Sequence, residues 1–377
     1  MPICMKKALQ RTMLVFTSLL LLGAAGIWIF LQQPPFGSLP GGARLESIQA
    51  SPNFRDGQFQ NQHPTPDLAE GVTYWSVIQE FFFTKKERMA PETDLPSEKT
   101  DLKSLSPTDQ VLVWFGHSSY FIQVDGKKIL VDPVFSGHAS PLSFNIRAFK
   151  GSDRYTVADL PPIDYLFITH DHWDHLDYKT LLELKGKVGA IFTGLGTGAH
   201  LERWGFPAEK ITEFDWYEGA TPDTGFQVVS TPARHFSGRG LKRNQSLWSS
   251  FVLKTPSFSL YLGGDSGYDT HFAEIGRQFG PFDLALLENG QYNASWKYIH
   301  MMPDEVLQAA RDLGARRLMP VHSAKFALAL HAWDTPLRTL TELNAAQNLP
   351  LVTPKIGQAV WLADTAQVFE PWWEGVK

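Results

Sequence analysis

The chain holds a single cysteine, Cys4, among 377 residues. That excludes an intramolecular disulfide and a thiolate metal site, and it leaves the redox compartment unread. Charge of neither sign dominates. Against 39 acidic side chains stand 34 basic ones, a net charge of −5, so the basic face that nucleic-acid binding needs is missing. No internal repeat is clear enough to assert. Gly264-Asp265-Ser266-Gly267 does not form the G-x-S-x-G elbow of serine hydrolases, so a serine nucleophile has no support. Hydrophobic residues make up 43% of the chain, ample for a core, and the length allows one large domain with an appendage or two domains.

One long uncharged run stands near the N-terminus. Lys6, Lys7 and Arg11 precede Met13 to Leu31, 19 residues without a charge. At about 1.5 Å per residue the run nearly spans a hydrocarbon layer of ~30 Å, and it exceeds the usual core of a signal peptide. Leu22-Gly23-Ala24-Ala25 offers a cleavage site, but Ile27-Trp28-Ile29-Phe30-Leu31 extends the apolar run beyond it. The expectation is an uncleaved signal-anchor over residues 1–31; a cleaved signal and a buried helix are the alternatives. The positive flank keeps the N-terminus in the cytoplasm and puts the rest on the far side, periplasmic if the source is bacterial. Cys4 lies ahead of the apolar core, which is not a lipoprotein pattern.

Residues 32–104 read as a linker and N-terminal extension. Gln33 to Gly42 is rich in Pro and Gly, and Arg55-Asp56-Gly57 reads as a turn. Trp75-Ser76-Val77-Ile78-Gln79-Glu80-Phe81-Phe82-Phe83 is an apolar, helix-like stretch, either facing a membrane beside a lipid entrance or packed across the rest of the chain. From residue 105 to 377 strands and helices alternate. Val111 to Phe115 and Tyr120 to Val124 alternate as strands, with a hairpin turn at Asp125-Gly126; helices are expected at 178–186, 198–204, 269–278, 303–313 and 334–346. Periodicity alone gives an α/β class.

The densest chemistry lies in Thr169-His170-Asp171-His172-Trp173-Asp174-His175, an H-x-H-x-D-H loop that follows the apolar strand Ile163 to Ile168. Imidazole and carboxylate together suit zinc and similar cations. Alternate residues point in different directions, so His170 and His172 can serve one ion while Asp174 and His175 serve a second; a polar loop with chance histidines is the plain alternative. Further ligands are expected where later strands end: His235 after Gln227 to Pro232, Asp265 after Phe258 to Gly264, and His322 after Arg317 to Val321. Seven ligands give three per ion plus a carboxylate able to bridge, a site for metal-assisted hydrolysis by two ions roughly 3.5–4 Å apart. Gly194-Leu195-Gly196-Thr197-Gly198-Ala199, with Glu213 downstream, matches the dinucleotide fingerprint in outline, but it sits inside the metal region.

With these segments in hand, the sequence resembles the metallo-β-lactamase fold superfamily, and within it the branch of N-acylphosphatidylethanolamine-hydrolysing phospholipase D. Trp114-Phe115-Gly116-His117-Ser118-Ser119, Leu130-Val131-Asp132-Pro133, the metal loop, Thr231-Pro232-Ala233-Arg234-His235, Gly263-Gly264-Asp265-Ser266-Gly267-Tyr268 and Val321-His322-Ser323-Ala324-Lys325 carry it, over roughly residues 105–365. The resemblance implies an αββα sandwich. It implies two zinc ions, one on His170, His172 and His235, the other on Asp174, His175 and His322, with Asp265 bridging. The implied reaction is attack of a metal-activated hydroxide on N-acylated phosphatidylethanolamine, with Asp174 and Asp265 as catalytic carboxylates and His300 and Tyr268 near the headgroup. The alternative on the same fold is hydrolysis of another ester, a lactone or a soluble phosphodiester. A membrane lipid is the expected substrate; the oligomeric state is unread. The chain departs from the branch at Leu286-Leu287-Glu288-Asn289-Gly290-Gln291. That run predicts a more polar wall, and a carboxylate there repels phosphate unless the metals or Arg239 offset the charge. Asp177 is expected either to orient a histidine or to cap a helix, and His117 either to serve the site or to be structural. His63, His138, His200, His271 and His331 read as ordinary residues.

Overall fold

Period-two alternation along the strands sorts the apolar residues into two sets. Leu112, Trp114, Ile122, Ile129 and Phe167 point one way and Val111, Val113, Phe121, Leu130, Leu166 and Ile168 the other. A strand that is apolar on both faces must be covered on both. The computed structural model, which describes residues 3–377, shows how. A seven-stranded sheet runs in the order Ala359–Trp361, Val111–Trp114, Tyr120–Val124, Lys127–Val131, Ile163–Ile168, Val188–Gly194, Ile211–Phe214. A six-stranded sheet runs Leu318–Val321, Leu284–Glu288, Ser259–Leu262, Ser250–Lys254, Gln227–Thr231, Gly219–Ala220. Their inner faces share one core, in which Leu112, Trp114, Ile122 and Phe167 meet Phe251, Leu253, Leu260 and Leu286.

The outer faces are covered by helices. Tyr178–Leu184 and Gly198–Arg203 lay Leu181, Leu184 and Leu201 on the first sheet. His271–Phe279, Pro303–Asp312 and Thr335–Asn344 lay Phe272, Ile275, Val306, Leu307 and Leu340 on the second. This is the expected αββα sandwich. Each sheet combines antiparallel hairpins with a parallel half, and the parallel strands deliver their carboxyl ends to one edge of the molecule.

The Asp125-Gly126 hairpin also ties the sheets together. Asp125 accepts hydrogen bonds from Thr255 Oγ1, Ser257 N and Ser257 Oγ at 2.6–2.9 Å.

The segment between 32 and 104 lies along the sandwich rather than hanging from it. Pro34 O accepts from Trp204 Nε1, Arg44 pairs with Glu202 and Glu213, and Phe54–Arg55 pairs with Gln58–Phe59 about the Asp56-Gly57 turn. The N-terminal helix Ile3–Leu31 contains one candidate membrane span, Gln10–Leu31, none of which is buried against the rest of the chain. A buried helix is therefore excluded.

Candidate metal centre

Five strands end at the same place, and each releases one polar side chain into it. Val111–Trp114 leads to His117, Ile163–Ile168 to His170, Gln227–Thr231 to His235, Ser259–Leu262 to Asp265 and Leu318–Val321 to His322. The backbone is strained here: His117 and His322 have φ of 54° and 65°, and Asp132 has 41°. Non-glycine residues hold such angles only where the surroundings enforce them. His117 and His322 enforce each other, since His322 N donates to His117 O and His117 N donates to Ser323 O, both at 2.9 Å.

Three ring nitrogens converge on one point. His172 Nδ1 lies 2.9 Å from His170 Nε2 and 3.1 Å from His235 Nε2. Beside them a second group gathers Asp174, His175 and His322 with His117. Asp265 stands between the two: its Oδ2 is 3.8 Å from both His170 Nε2 and His235 Nε2, and 3.2 Å from His175 Nε2, while its Oδ1 is 3.1 Å from His322 Nδ1. The seven residues named from the sequence thus come together, in the two sets and with the central carboxylate that the resemblance implies.

The chemistry of this donor set fits cations. Burial pushes His170, His172, His235 and His322 below the ordinary histidine range, so the rings are neutral at pH 7, the form that binds metal. Burial opposes charge on Asp174 and Asp265, yet neighbouring histidines, His175 foremost, hold both well below the ordinary carboxylate range. His175 itself is held well above its ordinary value, because Asp265, Asp174 and Asp132 outweigh its burial. His175 Nε2 and Asp265 Oδ1 are fully buried with no aligned hydrogen-bond partner, a costly state that a bound cation relieves.

Residues behind the ligands fix their orientation. Asp132 Oδ2 accepts from His175 Nδ1 at 2.8 Å and from Thr169 Oγ1 at 2.6 Å, and Oδ1 accepts from Thr169 N at 2.9 Å. His117 Nε2 meets Asp174 Oδ2 at 2.8 Å, and Ser118 Oγ meets His322 Nδ1 at 2.9 Å. Such partners set tautomer and ring angle. Asp132 was not singled out from the sequence, although it follows a strand as Asp265 does; that position was the available signal. Asn61 had none. It comes from the N-terminal segment, donates to His235 O and accepts from His235 N.

Several expectations need correction. Tyr268 does not line the cavity; its hydroxyl donates to Asp312 at 2.6 Å, on the helix outside the second sheet. Arg239 offsets no substrate charge, being buried with its guanidinium on the carbonyls of Pro35, Asp171 and Leu176. Glu288 does not project toward substrate: it accepts from Ser266 N and Met301 N and holds His300 Nδ1 at 2.6 Å. Asn289 is buried on Pro336 O, so of the polar run only Gln291 reaches the cavity wall. Asp177 caps its helix, accepting from Lys179 N, and orients no ligand histidine. The glycine loop 194–199 has its amides taken, because Glu213 Oε1 accepts from Gly196 N and Gly198 N at 2.7 and 2.8 Å where a dinucleotide phosphate would sit. His200 is buried between Ser38 N and Asp171.

His300 does border the site. Its ring centroid is 5.0 Å from His235 and 5.3 Å from His322, and the Glu288 carboxylate, outweighing burial, keeps it protonated beyond the ordinary range. The cavity over the ligands measures about 560 Å³. Its floor is His172, Asp174, His235, Asp265, His300 and His322, and its walls are largely apolar, with Leu68, Tyr74, Ile146, Trp173, Phe236, Trp296, Ile299 and Leu328.

A beta-lactamase superfamily domain matches residues 127–323. An uncharacterized protein of Mycobacterium tuberculosis is 36% identical over 362 residues, 93% of this chain and 95% of its own. The N-acyl-phosphatidylethanolamine-hydrolyzing phospholipase D 1 of Caenorhabditis elegans is 30% identical over 310 residues, 73% of this chain and 85% of its own. Among solved structures, a metallo hydrolase of the archaeon Ignicoccus hospitalis superposes with a TM-score of 0.53 at 22% identity, covering 67% of this chain and 98% of its own, a likeness of fold. The chain belongs to the metallo-β-lactamase superfamily and is a metal-dependent hydrolase. Within that superfamily it falls in the branch of the N-acylphosphatidylethanolamine-hydrolysing phospholipases D.

Proposed function

We propose that the chain is a dizinc phosphodiesterase that hydrolyses N-acylated phosphatidylethanolamine, held in its membrane by the helix Ile3–Leu31. The observation that carries the substrate class is the cavity. Its floor holds five of the seven candidate ligands, His172, Asp174, His235, Asp265 and His322, and its walls are largely apolar, an arrangement suited to a phosphodiester that bears acyl chains. A small soluble phosphodiester finds few polar partners on those walls.

In this reading His170, His172 and His235 would hold one ion and Asp174, His175 and His322 the other, with Asp265 between the two sets. When bound, the ions lower the pKa of water and take up charge developing on the phosphoryl oxygens. The chain's own residues do the rest. Apolar walls exclude bulk water and align the acyl part. Asp174 and Asp265 carry the fixed negative charge that keeps the cations in place. Glu288 engages His300 Nδ1 and leaves Nε2 for the cavity, where it donates to the oxygen leaving phosphorus. Water adds to phosphorus and loses a proton, the bond from phosphorus to the ethanolamine oxygen breaks as that oxygen takes the His300 proton, the proton lost by water restores His300, and the products are N-acylethanolamine and phosphatidic acid.

Mass spectrometry of lipid products tests this on purified, zinc-loaded protein in mixed micelles. N-acylethanolamine and phosphatidic acid should appear in equal amounts. Faster cleavage of soluble lactones or nucleotide phosphodiesters than of any phospholipid would replace the lipid reading with the general hydrolase one.

A further inference from the structure

Lys325 lies just past the candidate ligand His322 and is 1% exposed. Lysine is almost never buried so fully unless fixed partners meet its ammonium, because the charge gives up its water. The partners here are backbone. Nζ donates to Val134 O at 2.9 Å and to Phe115 O at 3.2 Å, and Asp153 Oδ1 stands 3.7 Å away. Burial lowers the Lys325 pKa and the Asp153 carboxylate opposes that shift. The side chain does not line the cavity over the ligands, so it has no access to substrate.

Both carbonyls belong to turns that carry a residue behind a ligand. Phe115 closely precedes His117, whose Nε2 meets Asp174 Oδ2 at 2.8 Å, and Ser118 of the same turn meets His322 Nδ1 at 2.9 Å. Val134 closely follows Asp132, which accepts from His175 Nδ1 at 2.8 Å. Lys325 itself closes the loop that His322 opens. The packing between them is tight: a Cβ on Gly116, where φ is 83°, would lie 3.2 Å from Lys325 Cβ and Cδ. His117, Asp132 and His322 all hold positive φ, which needs enforcement from outside each turn, and Lys325 ties the three turns to one another.

These turns serve one ligand set. Asp174, His175 and His322 are all aimed through them. The other set draws on different supports: His235 is fixed by Asn61 and by Ile299 O, 2.9 Å from its Nδ1. The link from Asp132 to His170 runs one hydroxyl further, through Thr169 Oγ1.

We infer that Lys325 is a positioning residue for one metal seat of the two: by holding the turns behind Asp174, His175 and His322 it sets the affinity of that seat and leaves the His170–His172–His235 seat to its own supports. This rests on the proposed two-ion reading and deepens it by separating what holds each seat.

The test uses the full chain in detergent. Lys325→Met keeps the apolar stem and removes the N–H donors. Zinc titration against a chelating competitor measures both affinities, and zinc-edge anomalous scattering from crystals tells the seats apart. The Asp174–His175–His322 seat should weaken about 10- to 100-fold, as when partners behind ligand histidines are lost, and the other should stay within about twofold. Asn61→Ala is the reciprocal variant and should weaken the His170–His172–His235 seat instead. Lys325→Gln keeps a donor on a shorter stem and should recover part of the loss; it takes the place of the methionine variant if that chain does not fold. A lysine that only stabilised the fold would lower the unfolding temperature and weaken both seats alike, and that result would overturn the inference. Unchanged affinity at both seats would overturn it too, with the two-ion reading left standing. A parent protein that binds a single zinc ion would refute the two-ion reading and the inference with it.

Discussion

Asp132→Asn removes little volume and one charge, and its effect can be worked out from the contacts. Three donors converge on Asp132: Thr169 N on Oδ1, and Thr169 Oγ1 and His175 Nδ1 on Oδ2. A carboxylate accepts at both oxygens, whereas an amide accepts at one and presents N–H at the other. Whichever way the amide turns, an N–H faces a donor. Asparagine tolerates the positive φ of 41° at this position, so the backbone is not the cause of any loss. The expected result is a His175 ring free to tilt and less basic toward metal. Lost partners behind ligand histidines cost about 10- to 100-fold in metal affinity, or about 1.4–2.8 kcal/mol. Competition with a chelator measures this, with thermal unfolding of the metal-loaded protein as the control for folding. An unchanged affinity would refute the assignment of Asp132 as the residue that positions His175.

Three other outcomes are expected. On the proposed dimetal reading, Asp265→Ala should lose its metal and all measurable hydrolysis, because its oxygens adjoin both histidine groups; metal analysis finding metal retained in active protein would contradict it. His300→Ala should keep its metal and lose roughly 10²-fold or more in turnover, checked by metal content and rate on the same sample. Asp125→Ala should destabilise the fold by about 1–2 kcal/mol at pH 7 by releasing the Thr255–Ser257 turn. Burial raises the Asp125 pKa, but the bonds from Ser257 and Thr255 hold it below the ordinary value. Its contribution is therefore full above the unfolded pKa of about 3.9 and lost as pH falls through the folded value, so denaturant midpoints of variant and parent should converge in acid.

The α/β class and the seven candidate ligands were legible in the sequence because each rests on local order, while the sandwich followed only from the resemblance that the matching segments carry. Strands show their period of two, and a metal loop keeps its ligands within six positions. His235, Asp265 and His322 each follow an apolar run, which is how the ends of buried strands appear in one dimension. The sequence could not assign direction to an isolated side chain. Glu288, Tyr268 and Arg239 all lie near the site in sequence pattern, yet one turns back to fix His300, one turns out to Asp312 and one binds backbone carbonyls. Residues 32–104 carry little periodicity, so nothing local announced that Asn61 would hold His235 or that Arg44 would meet Glu213 across the chain. The apolar stretch 75–83 was visible as a helix, but whether it packed inward or faced out was decided only by the completed sandwich. The outer faces of both sheets were already covered by helices of the sandwich, which left that stretch without a buried residue.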